Sequence, residues 1–485
     1  MRPQGEIVTE EIRARRPIVG PFGALALIAA CWAFVAFALE GVVRACAGAT
    51  FSSWVALPGV YIGFDMAIGL AVLIVVLARL RREARVTRGA PVAAPPLSVL
   101  VAAYNEAAVI GQTLEALIAQ RGVELEVLVG DDGSTDGTLD AVIRRFACTQ
   151  SEDGAWRAAV PRPDGGVVHV VACALPHAGK GAALNALAKR ARHAVLVTLD
   201  ADTTPAEGAL AAMARAFCDP GVVSAAGVVG VRNAAENLLT RYQAIEYQRI
   251  TWVRAAWATL GALEQVPGAF TGVRADAFAA CGGFPTDSLT EDYELTYRLV
   301  DQGARTGRVP HVAIVLDAQV WTEVPATVAG LVRQRTRWFT GFLTTLARFP
   351  HLIFNPRAAA FGLVRLPLKL VDAIVPLFAF ASLAALFVSE AATHPAHAVL
   401  SLFAARWAWD TCFYAVIVHA DARMARPDPH GFASSALSNW SCLFTESLAY
   451  SWLRHAATLR AYSWSLRRIR TWEPSREPAP AELAN

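Results

Sequence analysis

The hydrophobic pattern separates the chain into two apolar ends and a more polar centre. Apolar runs cover residues 18–39 and 60–80 near the start, and return at 371–388, 399–419 and 432–453. A run of about 20 apolar residues is long enough to cross a bilayer as a helix. We therefore expect two membrane spans before the centre and two to three after it, because Asn439 and Glu446 interrupt the last run.

The centre of the chain, residues 95–341, alternates between two patterns. Short β-branched runs predict strands at 97–103, 125–130, 167–172 and 194–199. Helix-compatible segments follow at 107–120, 182–192 and 205–218. This alternation predicts a doubly wound, Rossmann-like α/β sheet, in which ligands bind beyond the carboxyl ends of the strands. Residues 148–166 are rich in Gly, Pro, Asp and Ser without a period, which predicts a loop.

Arginines at the ends of the apolar runs predict the orientation of the chain. Four of the first 16 residues are arginines, and another cluster follows the second run at 79–85. Because basic residues favour the cytoplasmic side, we expect the N-terminus and the central domain in the cytoplasm of a multi-pass inner (plasma) membrane protein. A cleaved signal peptide is the alternative for 18–39, but the run is longer than a typical signal core. Arginines after residue 453 would lie outside if 432–453 spans, and inside if it lies in the interface.

These features divide the chain into six predicted segments. They are a cytoplasmic arm (1–17), two transmembrane helices (18–85), the α/β domain (95–341), an interfacial helical region (342–370), two to three transmembrane helices (371–470) and a polar tail (471–485).

Composition narrows the class of protein. A hydrophobic content of 55% with 18% charged residues indicates a hybrid of membrane and soluble parts. The net charge of +3 is small and its basic residues are dispersed, so we expect no nucleic-acid partner. The eight cysteines include no Cys-x-x-Cys pair, which argues against a zinc site and against a disulfide framework.

Acidic residues recur where predicted strands end. Asp131 and Asp132 follow the second strand, and Asp200 and Asp202 follow the fourth. In Asp200-Ala201-Asp202, the alternate carboxylates can reach a hard divalent cation that bridges two phosphates. Either pair could instead be turn or helix-capping residues, since acids are common at both positions.

Two further sites in the centre carry candidate chemistry. Asp292, in Thr290-Glu291-Asp292, is a candidate general base. The alternative is that Thr290 caps a helix and the acids complement its dipole. Lys180 lies between two glycines and could donate to a phosphate, or simply stand in an exposed turn.

The last cluster, Gln334, Arg337 and Trp338, has the side chains needed to hold a sugar and a phosphate. Tryptophan offers a flat apolar face, arginine can bind phosphate through two hydrogen bonds, and glutamine can bond hydroxyls. A juxtamembrane belt of Arg and Trp is the alternative interpretation.

Together these motifs resemble a known family. The ordered set is Tyr104-Asn105-Glu106, Asp131-Asp132-Gly133-Ser134, Gly179-Lys180-Gly181, Asp200-Ala201-Asp202, Thr290-Glu291-Asp292 and Gln334-x-x-Arg337-Trp338. It is similar to the membrane-integrated family 2 glycosyltransferases, which include cellulose, chitin, hyaluronan and poly-N-acetylglucosamine synthases. The resemblance implies a GT-A fold and transfer by direct displacement with inversion at the anomeric carbon.

The resemblance also implies a role for each motif residue. It assigns nucleotide and donor binding to Tyr104, Glu106, Asp131, Asp132, Lys180 and Asp200. It assigns the Mg²⁺ or Mn²⁺ ion of the diphosphate to Asp202, and the general base to Asp292. It assigns acceptor and pyrophosphate binding to Glu291, Gln334, Arg337 and Trp338.

The activity implied is transfer of sugar from a UDP-sugar to a growing β-linked polysaccharide, processive and coupled to export through the bilayer. The order of segments is most similar to the poly-N-acetylglucosamine synthase branch, in which a small accessory membrane subunit is a further expected partner. Two alternatives stay open: a non-processive transferase that adds one sugar to a lipid, and a membrane transporter or scaffold that binds nucleotide.

Overall fold

The computed structural model describes residues 63, 66–79, 94–162, 164–374, 377, 396–423, 442 and 445–467. The predicted span 18–39 lies outside these residues, as do the larger parts of 371–388 and 432–453. Among the described residues, no helix is both long enough and apolar enough to cross a membrane.

Besides the helical residues 66–79 and 366–374, the described ranges contain the following strands and α-helices. The strands are β1 (Leu97–Ala103), β2 (Leu125–Asp131), β3 (Thr149–Gln150), β4 (Trp156–Pro161), β5 (Val167–Ala174), β6 (Val195–Asp200), β7 (Thr204–Pro205), β8 (Val222–Val231), β9 (Phe270–Arg274) and β10 (His311–Thr322). The helices are α1 (Ile110–Ile118), α2 (Thr138–Phe146), α3 (Lys180–Ala188), α4 (Ala209–Ala216), α5 (Leu238–Thr259), α6 (Ala275–Ala280), α7 (Glu291–Thr306), α8 (Val328–Arg348), α9 (Ala396–Arg423) and α10 (Ser451–Leu466).

The strands form one mixed sheet in the order β3-β4-β5-β2-β1-β6-β9-β8-β10-β7. Strands β5, β2, β1 and β6 are parallel neighbours, whereas β9 runs antiparallel to both β6 and β8. The predicted α/β sheet is therefore confirmed, with antiparallel strands on both sides of its parallel part. Because β1, β2 and β6 are parallel, their carboxyl ends lie at one edge of the sheet.

Helices cover both faces of the sheet, so the central strands are buried on each side. In β1, Val99 and Val101 pack with α1 and α4 on one face, while Leu100 packs with α3 and α7 on the other. This arrangement explains why the central strands are rich in valine and leucine on both faces rather than alternating between apolar and polar residues.

The prediction of a loop at 148–166 was wrong in part, because this segment contains strands β3 and β4. Strand β4 pairs antiparallel with β5 along its whole length, but its residues are half-buried or exposed. A strand near the edge of a sheet buries little apolar surface, so the sequence lacked the apolar run that marks a buried strand. The glycines at 154 and 165 lie in the turns on either side of β4, where both have positive φ.

Candidate active site

The strand register brings two of the acidic motifs to the same edge of the sheet. Ala103 pairs with Asp131 across β1 and β2, and Ala102 pairs with Asp200 across β1 and β6. Asp131 is buried, and its Oδ1 has no hydrogen-bond partner among the described residues. A buried acceptor without a partner is rare in proteins, so Asp131 is suited to receive a donor from a ligand.

Asp132 fixes the loop that leads into α3. Its carboxylate accepts hydrogen bonds from the N–H groups of Ala178 and Gly179, each at 2.9 Å, and is almost fully buried. Gly179 has a φ of 90°, a conformation that favours glycine. Asp132 therefore positions the backbone next to Lys180, and both of its oxygens are already engaged by protein N–H groups.

An aromatic pair lies beside this loop. The rings of Tyr104 and His177 stack with centroids 4.5 Å apart, and His177 Nδ1 lies 2.8 Å from the carbonyl oxygen of Asp132. Glu106 lies in the turn after Tyr104, where its N–H donates to the hydroxyl of Thr138. The predicted nucleotide-binding residues Tyr104, Glu106 and Asp132 are thus neighbours at the ends of β1 and β2.

Lys180 joins this edge of the sheet to the start of α7. Its Nζ lies 2.5 Å from Asp200 Oδ1 and 3.1 Å from Glu291 Oε1. Burial acts to lower the pKa of Lys180, but the carboxylates of Asp200 and Glu291 outweigh it and hold the pKa above its ordinary value. A permanently charged amine, one third exposed, therefore lies between two motifs that are distant in sequence.

Asp292 is held next to this cluster. Its Oδ2 accepts a hydrogen bond of 2.7 Å from the N–H of Gly268, where a Cβ atom would lie only 3.0 Å from the same oxygen. Burial and the neighbouring Glu291 carboxylate raise the pKa of Asp292 to about 6, although Lys180 acts to lower it. A carboxylate with a pKa nearer to neutrality is a better general base than an ordinary aspartate.

The capping interpretation of Thr290 is not supported. Thr290 precedes α7, but its side chain makes no capping hydrogen bond, and its buried Oγ1 has no partner within the described ranges. The two acids that follow it do lie in the first turn of α7, as the helix-dipole alternative requires, but they also contact Lys180 and the N–H of Gly268. Helix capping alone therefore does not account for this motif.

Asp202 lies farther along the same edge, in the turn between β6 and β7. Its Oδ1 accepts hydrogen bonds from the hydroxyls of Thr203 at 3.1 Å and Thr322 at 3.3 Å. No group of three or more His, Cys, Asp or Glu residues that could hold a metal ion occurs in the part of the chain that the structure describes.

The motif Gln334-x-x-Arg337-Trp338 lies on α8. Arg337 donates to the carbonyl oxygen of Leu289 at 3.2 Å, which anchors α8 to the segment just before Thr290. Gln334 is buried, and its Oε1 has no partner among the residues described. Trp338 is half-buried, with its ring edge-on to Tyr247 at a centroid distance of 6.5 Å.

The structure thus brings part of the predicted site together around Lys180. Ion pairs join Lys180 to Asp200 and to Glu291, and Glu291, Lys180 and Arg337 lie close enough to Asp292 to influence its pKa. The sequence patterns did not single out Gly268, His177 or Thr322, which support these residues from loops and from β10. Arg335 was also missed, although it lies inside the motif between Gln334 and Arg337.

Comparison with known proteins decides the family. Residues 95–341, about half of the chain, match the model of the family described as "Glycosyltransferase like family 2". The chain belongs to this family. The sequence-based prediction of a family 2 glycosyltransferase, and hence of an enzyme, is confirmed.

Curated relatives of this glycosyltransferase match about half of its length. It is 28% identical over 254 residues to "Poly-beta-1,6-N-acetyl-D-glucosamine synthase" of Staphylococcus aureus (strain COL), covering 52% of this chain and 56% of the relative. It is 31% identical over 266 residues to "Probable glycosyltransferase YdaM" of Bacillus subtilis (strain 168), covering 53% and 57%. The chain therefore spans about half the length of the curated relatives it matches.

A solved structure supports the fold of the glycosyltransferase. The mannosyltransferase PcManGT from Pyrobaculum calidifontis, in complex with GDP-Man and Mn²⁺, matches with a TM-score of 0.54 at 21% identity. The match covers 84% of this chain and 99% of that chain. At this identity the likeness concerns the fold, and it agrees with a GT-A-like α/β arrangement.

Proposed function

We propose that this glycosyltransferase moves a sugar from a UDP-sugar to the end of a growing β-linked polysaccharide, with inversion at the anomeric carbon. The observation that carries the proposal is the cluster of Asp200, Lys180, Glu291 and Asp292. It links the ends of the parallel strands, where a nucleotide would bind, to a carboxylate with a raised pKa.

The donor site would lie between the ends of β1, β2 and β6. The unpartnered Oδ1 of Asp131 can accept from an N–H of a nucleobase, and the Tyr104 and His177 pair offers an aromatic surface beside it. Lys180 can turn one of its three donors towards the diphosphate, since its amine is partly exposed. The name of the Staphylococcus relative supports an N-acetylglucosamine donor.

A divalent metal would be held by Asp202, with Asp200 as a second carboxylate. Both side chains offer hard oxygen ligands, and Thr322 orients one Asp202 oxygen. Mg²⁺ is commonly bound by one or two carboxylates together with substrate phosphates, so a donor set without a third protein ligand fits such an ion. Bound there, Mg²⁺ or Mn²⁺ would neutralise charge that develops on the leaving diphosphate.

The protein side chains supply the remaining chemistry. Asp292 takes the proton from an acceptor hydroxyl as that oxygen forms its bond to C1 of the donor sugar. The bond from C1 to the phosphate oxygen breaks at the same time, and the nucleoside diphosphate leaves with the electron pair. Lys180 and Arg337 are the cations placed to stabilise that anion.

The acceptor would lie against α8, on the side of Asp292 away from the nucleotide. Trp338 offers a ring face to a sugar, and the unpartnered Gln334 Oε1 can accept from a hydroxyl. Such a binding surface can hold a chain end between additions, which favours processive synthesis.

The proposed location is the cytoplasmic face of the inner (plasma) membrane, with the polymer exported through the bilayer. In segment 66–79, Leu70, Ile74 and Leu77 are exposed at 42–59% and are spaced so that they share one helix face. An apolar face of this kind is suited to contact lipid.

Transfer by purified full-length protein in detergent tests the proposal. The protein is incubated separately with labelled UDP-N-acetylglucosamine, UDP-glucose, UDP-glucuronate and GDP-mannose, with and without Mn²⁺. We expect a ladder of products from a UDP-sugar that depends on metal. A single labelled glycolipid would instead show a non-processive lipid transferase, and no release of nucleotide from any donor would contradict the proposal.

A further inference from the structure

A buried carboxylate on α5 gathers three polar side chains from two other parts of the chain. Glu246 Oε2 lies 2.5 Å from Arg335 Nη2 and accepts from the Tyr450 hydroxyl at 2.6 Å. Its Oε1 accepts from Arg454 Nη1 at 3.2 Å. All three of Glu246, Arg335 and Tyr450 are almost fully buried. Burial opposes ionisation, but the two arginines hold the pKa of Glu246 well below its usual value, at about 2.

Arg335 carries this network to the sugar-binding motif. The centre of its guanidinium lies 4.2 Å from the ring centroid of Trp338, in a cation–π contact. The same Nη2 that meets Glu246 also donates to the Tyr450 hydroxyl at 3.2 Å, while Nε and Nη1 have no hydrogen-bond partner within the described part of the chain. Glu246 and Tyr450 therefore help to hold the guanidinium over the indole, and Tyr247 is a further neighbour of Arg335.

The C-terminal segment holds the other end of the network. The Tyr450 ring stacks on Tyr242 of α5 at a centroid distance of 5.5 Å. Thr336 of α8 donates to the carbonyl oxygen of Ala457 at 3.2 Å, so α10 is bonded directly to the helix that carries Trp338. A displacement of α10 would therefore move the groups that hold Arg335.

We propose that Glu246, Arg335 and Tyr450 are positioning residues that fix the indole of Trp338 for the acceptor sugar. This inference rests on the proposed function, which assigns the acceptor to Trp338. A guanidinium over one face of the indole restricts rotation of the ring and leaves the opposite face for a sugar. The C-terminal helix α10 thereby contributes to acceptor binding without contacting the acceptor.

The chain offers a matched control for the loss of a buried ion pair. Glu264 and Arg365 form a second buried pair, and the Arg365 guanidinium lies 4.4 Å from the ring centroid of Trp257. This group repeats the Glu, Arg and Trp arrangement, but Trp257 is a core residue that is 5% exposed. Glu264→Gln therefore removes a comparable charge pair without touching the environment of Trp338.

The first readout is the ¹⁹F NMR signal of Trp338 in full-length protein labelled with 5-fluorotryptophan. The resonance is assigned by its loss in Trp338→Phe. We expect Glu246→Gln and the milder Tyr450→Phe to shift or broaden this signal, whereas Glu264→Gln leaves it unchanged. Tyr450→Phe keeps the buried ring and adds no charge, so it provides a folded variant if Glu246→Gln unfolds.

The second readout separates positioning from general stability. With UDP-N-acetylglucosamine as donor and N-acetylglucosamine oligosaccharides as acceptor, we expect Tyr450→Phe to raise the acceptor KM by roughly three- to tenfold, because contacts within one network couple strongly. The donor KM should stay within about twofold, since the nucleotide edge of the sheet is untouched. Glu264→Gln should change neither KM.

An unchanged Trp338 signal in both network variants would overturn the inference, as would an unchanged acceptor KM in Tyr450→Phe. Either of these results can be distinguished from a failure of the proposed function, which is tested with the wild-type protein. If the wild-type protein transfers no sugar from any donor, the proposed function is wrong, and the NMR signal still decides whether the network holds Trp338.

Discussion

Asp292 is half-buried, and its raised pKa makes it ready to accept a proton. Its hydrogen bond from the Gly268 N–H fixes its orientation, and the adjacent Glu291 carboxylate raises its affinity for a proton. Lys180 limits that effect, because its charge favours the ionised form. Burial, Glu291 and Lys180 therefore set the pH range in which Asp292 can act as a base.

Replacing Asp292 with asparagine tests its role as the base. The amide oxygen can still accept from the Gly268 N–H, so the local structure should persist. We expect kcat to fall by about 10²- to 10⁴-fold, because the proton acceptor is lost. UDP affinity measured by calorimetry should stay near the wild-type value, and a variant with near-normal kcat would remove Asp292 as the base.

The pH profile gives an independent check on the same residue. A carboxyl whose pKa is raised to about 6 is protonated below that pH and cannot accept a proton. The rate should therefore be constant above about pH 7 and fall about tenfold per unit below pH 6. Transfer rates measured from pH 4.5 to 8 give this profile, and a rate that stays flat down to pH 4.5 contradicts the assignment.

We expect Asp202 to bind the metal ion, whereas Asp292 accepts the proton. Asp202→Ala should abolish the part of donor binding that depends on Mn²⁺, because a direct carboxylate ligand is removed. Calorimetric titration of UDP with and without Mn²⁺ measures this difference. Asp153→Ala, on the turn before β4, is the control and should keep the wild-type metal dependence. If Asp202→Ala also keeps it, the ligand assignment is wrong.

Local motifs predicted candidate residues for the site, but not how those residues are paired. Lys180 and Glu291 lie far apart in sequence, and their contact depends on how α3 and α7 pack on the same face of the sheet. The same holds for Asp132, whose motif predicted nucleotide binding while its carboxylate bonds to the loop before α3. Glu246 gave no sequence signal, because a buried glutamate in a helix is recognised only from its partners.

Helix α8 approaches α7 closely, and a glycine makes this contact feasible. A Cβ atom on Gly341 would lie 2.8 Å from the Cβ of Thr290 and nearer still to its Oγ1 and Cγ2 atoms. Thr290 is buried and β-branched, so its side chain has little room to rotate away. The contact brings the helix of Gln334, Arg337 and Trp338 next to the segment of Glu291 and Asp292.

Two glycine substitutions are expected to have opposite effects. Gly341→Ala should lower the free energy of unfolding by about 1–3 kcal/mol through overpacking. Gly111→Ala, near the start of α1, meets no atom within 4 Å and should raise it by about 0.5–1 kcal/mol. Denaturant titration of both variants measures the difference, and equal stabilities would show that α7 and α8 are not in close contact.

The central strands were predicted well because they are buried on both faces and so consist mostly of apolar residues. Strand β1 has the predicted bounds, and β2, β5 and β6 agree to within two residues. Helices α1 and α4 are shorter than predicted, because residues around them form turns and the two-residue strand β7. Strand β4 was missed since its pairing with β5, rather than burial, determines its conformation.

Three regions distant in sequence converge around the proposed reaction centre. The carboxyl ends of the parallel strands would bind the donor, α7 carries the proposed base Asp292, and α8 carries the residues proposed to bind the acceptor. The C-terminal helix α10 packs along α8 and joins it through Thr336 and Ala457. The family domain alone therefore does not complete the environment of Trp338, since Tyr450 and Arg454 lie beyond residue 341.

An experimental structure of Asp292→Asn with UDP-N-acetylglucosamine and Mn²⁺ tests the whole arrangement most directly. We expect the nucleotide at the carboxyl ends of β1, β2 and β6, Mn²⁺ beside Asp202, and the donor sugar between Asn at position 292 and Trp338. Nucleotide bound in a different cavity, with Asp202 and residue 292 on separate surfaces, would contradict the proposed single reaction centre.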